Sequence, residues 1–140
     1  MIITKEQYKQ IDKIGAEHNL ALVVLHGSHA VGKVVSLEPD VDIAIYRRGG
    51  IVFDEYLQLI GKFMEVFGND IDLKTLHKKP PLFLHLVMRD SILLYGETLF
   101  YNQFKAYAYR CYIDAQPLFR LRDHLLRKGI DKLKKECKLI

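Results

Sequence analysis

The sequence predicts an α+β domain: a small mixed β-sheet of three to four strands packed with about five helices. Three observations predict it. Short runs of strand length recur at Leu20–Leu25, Val41–Tyr46 and Ile92–Tyr95, and Asp70–Leu76 alternates polar with apolar residues. Segments with helical spacing lie before, between and after these runs. Turn residues separate them: Asn19, Arg47-Arg-Gly-Gly50, Gly68-Asn69, Pro80-Pro81 and Gly96.

Taken in order, Thr4 suits an N-cap, and Ile11, Ile14 and Leu20 behind it predict a first helix of about four turns with Asn19 near its C-cap. Leu20–Leu25 is continuously apolar, as a buried central strand should be, and it stops at His26-Gly27-Ser28. Val41–Tyr46 is the next strand. From Phe53 to Phe67 the residues Phe53, Leu57, Ile60, Met64 and Phe67 define the expected buried helix face. Asp70–Leu76 reads as a half-buried strand. Pro80-Pro81 opens a helix to about Arg89, and a short strand ends at Gly96. From Thr98 the pattern is helical to the end, with Phe100, Phe104, Tyr107, Cys111 and Ala115 on one face and Leu126, Ile130, Leu133 and Cys137 on another. Pro117 is expected to split it in two, because proline removes a donor and crowds the preceding turn.

The chain has 140 residues, read as one domain over 1–140 with C-terminal helices over 97–140. No apolar run reaches the roughly 18 residues of a membrane span, and the N-terminus lacks the pattern of a signal peptide. The two cysteines, Cys111 and Cys137, are too few for a disulfide scaffold and are expected as small buried hydrophobes. A reducing, cytoplasmic setting follows. The net charge is +4, and its excess lies late, between Arg120 and Lys138. Such a segment meets RNA or an acidic partner, or is the solvated face of a helix, the commoner case.

The chemistry concentrates in a few residues. A strand ending in Gly27-Ser28 suits a triphosphate: glycine lets backbone N–H groups approach phosphate oxygens, and serine adds a hydroxyl. Asp40 and Asp42 alternate along a strand, so both carboxylates project to one face while Val41 and Ile43 enter the core. Paired carboxylates repel one another, and Mg²⁺, which takes oxygen ligands, relieves that repulsion. An Asp-x-Asp at a solvent-facing strand edge is the alternative. Asp72 supplies a third carboxylate, suited to take a proton from an attacking hydroxyl and to share a metal; Asp70 competes for this role. These are the parts of in-line nucleotidyl transfer, in which positioning and charge neutralisation at phosphorus do most of the work. Gly27 to Lys33 also fits Gly-x₄-Gly-Lys of the P-loop, but Val34 stands where a metal-binding hydroxyl belongs, and Pro39 leaves too little room for the long helix that should follow. The six histidines show no pair at the spacing of a helical zinc site; His29 alone lies near the proposed site.

Leu22–Tyr46 resembles the Gly-Ser/Asp-x-Asp motif of the DNA polymerase β-like nucleotidyltransferase superfamily. With the third Asp in Asp72-Leu-Lys-Thr-Leu76 and the segment Pro81–Tyr95, the chain is similar to the minimal nucleotidyltransferase (MNT) proteins, the MntA-type antitoxins of HEPN/MNT toxin–antitoxin systems. The resemblance implies a polymerase β-like palm fold. It implies ATP as donor, Mg²⁺ as cofactor and transfer of AMP to a tyrosine of a HEPN-domain ribonuclease toxin. By carry-over, Gly27 and Ser28 bind the triphosphate, Asp40 and Asp42 bind the metal, and Asp72 completes the triad. Eleven residues separate Ser28 from Asp40, one more than the commonest spacing. Family members often carry Arg after Gly-Ser; here His29 and Val31 take those positions, Lys33 is the substitute phosphate contact, and Pro39 replaces a common Ser. The alternative is a weakly active or inactive domain that neutralises its toxin by binding. Transfer to a small molecule generally needs a further acceptor domain. Tyr101, Tyr107, Tyr109 and Tyr112 can serve an interface in either case, though most are expected in packing. Neither a membrane nor nucleic acid is expected as direct substrate, and a homo-oligomer stays open.

Overall fold

The structure, a computed structural model, describes residues 2–32 and 40–137. Within them lie helices α1 (Lys5–Glu17), α2 (Ser28–Val31), α3 (Phe53–Phe67), α4 (Pro81–Arg89) and α5 (Thr98–Glu136), and strands β1 (Leu22–His26), β2 (Val41–Tyr46), β3 (Ile71–Thr75) and β4 (Ile92–Gly96). The strands form one sheet in the order β3-β2-β1-β4. β1 runs antiparallel to both β2 and β4, whereas β2 and β3 are parallel, joined by the α3 crossover.

Each end of α1 is explained locally. Thr4 caps it through a capping box with Gln7, its hydroxyl accepting from the Gln7 N–H while the Gln7 side chain accepts from the Thr4 N–H. The cap at its other end is His18, and Asn19 follows in the left-handed region at φ 52°.

Alternation along the strands sends side chains to two cores. On one face Val23, Leu25, Ile43, Ile45 and Leu73 pack against Ile11 and Ile14 of α1 and Leu59, Phe63 and Val66 of α3. On the other, Leu22, Val24 and Ala44 pack against Leu84, Val87 and Met88 of α4 and Phe104 and Ala108 of α5. β1 is buried throughout, as its unbroken apolar run requires.

Three sequence expectations are corrected. The buried stripe of α3 is Leu59, Phe63 and Val66, while Phe53, Leu57 and Met64 are exposed. The helix is amphipathic as expected, but its true face is rotated, with Ile60 and Phe67 on its margin. Pro117 does not divide the C-terminal helix: α5 runs 39 residues through it. The carbonyl of Ile113 loses its N–H partner there, but both residues are exposed, so water can replace the missing bond. Cys111 is only half-buried, and Cys137 is exposed because none of the described residues packs on the last turns of α5. Among the described residues, no helix is long and apolar enough to cross a membrane.

Candidate active site

At one end of the sheet, three adjacent strands place polar side chains in a row. The register pairs His26 of β1 with Asp42 of β2, and Asp42 with Asp72 of β3. Neighbouring strands lie about 4.8 Å apart, so residues in register on the same face are in contact range. Asp42 alternates with the buried Val41 and Ile43, and Asp72 with the buried Leu73, so both carboxylates leave the α1/α3 core and point to the opposite face. Asp40 stands exposed two residues before Asp42. Asp70 lies just before β3, where its carbonyl accepts from the Val41 N–H at 2.9 Å.

The electrostatics of the row are those of crowded acids. Burial holds the Asp42 carboxyl above the usual carboxylate range, the nearby Lys74 ammonium draws it back, and Asp72 and Asp40 raise it again. Lys74 is bonded to Asp72 at 3.2 Å. Burial and its acidic neighbours thus disfavour Asp42 as an anion, the kind of strain a divalent cation would relieve, although among the described residues no three His, Cys, Asp or Glu side chains are gathered as a metal site.

Gly27 closes the site from β1. Its backbone, at φ 73° and ψ −153°, occupies a region essentially reserved for glycine. A Cβ there would run into the Asp42 carboxylate. The Gly-Ser turn is therefore built against the Asp42 carboxylate, and Ser28 follows as the first residue of α2. α2 has only four residues and ends at Gly32, itself left-handed at φ 72°. With antiparallel neighbours on both sides of β1, this is not the strand–loop–long-helix of a P-loop. Lys33, the expected phosphate contact, and Pro39 lie outside the described residues.

Two residues of the row escaped the sequence reading. His26 is 6% exposed, and its Nε2 has no hydrogen-bond partner. Burial, followed by the Lys74 charge, lowers its pKa to about 4 against an opposing pull from Asp72, so the ring is neutral at neutral pH. Lys74 was legible in principle, two positions from Asp72 on an alternating strand; His26 became legible only once the β1–β2 register was known. His29 is buried in α2.

A mixed sheet that presents carboxylates beside a Gly-Ser turn defines a palm-type nucleotidyltransferase domain. A family model described as Polymerase beta, Nucleotidyltransferase matches residues 9–98 of the chain. The chain belongs to that family. No curated protein matches it in sequence. Among solved structures, it is similar to a chain in the crystal structure of a toxin-antitoxin with AMP-PNP: 21% identity, TM-score 0.70, 88% of this chain and 98% of that one covered. It is also similar to a chain in the tri-AMPylated Shewanella oneidensis HEPN toxin in complex with MNT antitoxin, at 20% identity and TM-score 0.67, with 90% and 98% covered. A third likeness, at 19% identity and TM-score 0.67, is to a chain of the toxin-antitoxin MntA-HepT, with 91% and 99% covered.

Proposed function

We propose that this chain is an Mg²⁺-dependent nucleotidyltransferase that acts as an antitoxin, moving AMP from ATP to a tyrosine of a partner HEPN-domain toxin in the cytoplasm. The observation that carries the reading is the register pairing of Asp42 with Asp72 beside Gly27. The family match supports the reaction class, and the likenesses to complexes with AMP-PNP and with an AMPylated HEPN toxin support the donor and the partner.

In this reading Gly27 and Ser28 receive the triphosphate, with Lys33 as a further phosphate contact. Asp40, Asp42 and Asp72 would hold the metal, which when bound supplies charge neutralisation at the reacting phosphorus. Asp72 accepts the proton of the tyrosine hydroxyl as that oxygen bonds to the α-phosphorus and pyrophosphate departs. Lys74, held on Asp72, keeps that carboxylate oriented. Burial of Asp42 strengthens every electrostatic interaction around it.

The test uses ATP labelled on its α-phosphate, Mg²⁺ and the HEPN-domain protein encoded beside this chain. The wild-type chain should label the toxin, and Asp40→Asn with Asp42→Asn should abolish labelling, a loss of at least a thousandfold. A second reading, neutralisation by binding alone, is favoured by the long exposed end of α5. It prevails if the double variant still neutralises the toxin as well as wild type.

A further inference from the structure

From Arg120 through the C-cap Cys137 every residue is exposed. At 1.5 Å per residue this is an arm about 27 Å long on which no other described element packs. A free helix of that length is marginal in water, and in proteins most helical stability comes from burying an amphipathic face. The arm has such a face and buries none of it: Leu118, Leu121, Leu125, Leu126, Ile130 and Leu133 are each more than half exposed.

The position of this face around the helix identifies what would cover it. Eighteen residues make about five turns, so positions that far apart lie on one line along the helix. Leu126 therefore continues the line of Ala108, which is buried in the core shared by α4 and α5, and Leu133 continues that of the half-buried Ala115. The proximal half of α5 packs on α4, itself an amphipathic helix. The distal half presents the same stripe where α4 has ended.

Charge narrows the occupant. Between Leu118 and Cys137 there are seven basic and three acidic residues, a net +4 equal to that of the whole chain. A second copy of the arm would bring the same +4 against it. A nucleic acid would meet the cations but leave the leucines in water. We propose that the arm docks an amphipathic helix of the acceptor protein, with an apolar face flanked by acidic residues, in line with α4. This rests on the reading that the site modifies a partner protein, and it adds the surface that holds the partner.

The experiment measures affinity by calorimetry between the full chain and the HEPN-domain protein, together with the KM of labelling for that acceptor. Leu126→Glu with Leu133→Glu should weaken binding at least a hundredfold and raise the acceptor KM, with affinity for ATP and the thermal melt unchanged, since both side chains are already in water. Lys128→Glu with Lys132→Glu should weaken binding about tenfold and flatten its salt dependence. If the wild-type chain labels the acceptor and the leucine variant does so with the same KM, the docking arm is wrong and the site reading stands. If the wild-type chain neither binds nor labels that protein, the site reading fails and takes this occupant with it. Sedimentation of the chain alone as a dimer that the leucine variant dissolves would overturn the proposal in favour of a second copy. Binding of a 20-nucleotide RNA that is lost in the lysine variant and kept in the leucine variant would overturn it in favour of nucleic acid.

Discussion

Gly27 shows how much a single residue can fix. Its backbone conformation excludes a side chain, and the space a side chain would take belongs to Asp42. Gly27→Ala therefore imposes two penalties at once: backbone strain of about 1–3 kcal/mol, and displacement of a carboxylate whose placement decides the chemistry. Transfer should fall about a hundredfold in kcat/KM, measured on a variant shown by circular dichroism to be folded. The residue types of the site were legible in the sequence because alternation fixes which side of a strand each acid faces. The partner of each acid was not, because register between strands is a property of the whole sheet. This is why Asp42 and Asp72 could be nominated from spacing, and Lys74 with them, while His26 emerged only when the strands stood side by side.

At the scale of elements, the join between α1, β2 and α3 depends on one carboxylate. Glu55 accepts from Arg47 at 2.6 and 2.9 Å and pairs with His18 Nδ1 at 2.8 Å, while Arg47 also donates to the His18 carbonyl. The Arg47 side chain, followed by His18, lowers the Glu55 pKa from 4.5 to about 2. A depressed carboxylate pKa stabilises the fold above its unfolded value, so this contribution is complete above pH 4.5 and disappears as pH falls toward 2. Glu55→Gln should cost about 2 kcal/mol near neutral pH and remove this part of the acid sensitivity, which thermal melts from pH 7 to 3 would measure. Element positions were legible from periodicity and turn residues. The face of α3 was not: Phe53, Leu57 and Met64 keep helical spacing with the core residues, and only the sheet decides which stripe is inward. Pro117 misled because proline inside a helix is a cost and not a prohibition, and α5 continues through it with the Ile113 carbonyl open to water.

The whole molecule divides energetically between a packed sheet with two helical layers and the arm that leaves it. Removing residues 118–140 deletes no residue of either core. The shortened chain should melt cooperatively within a few degrees of wild type and bind ATP normally, as calorimetry with and without nucleotide would show. The sheet itself has a further consequence, for the order in which the molecule assembles. β1–β2 and β1–β4 are antiparallel; β2–β3 is the sole parallel pair among the described strands, closed across the whole of α3, and β3 lies at the sheet edge. An edge strand is held by one neighbour only, so it opens more readily than a central one. Asp72 rides on that strand and Asp42 does not, so the two acids become a pair only when β3 has docked on β2. A nascent or partly opened chain would keep its Gly-Ser turn and its first two acids, yet lack the third, which the proposed transfer requires.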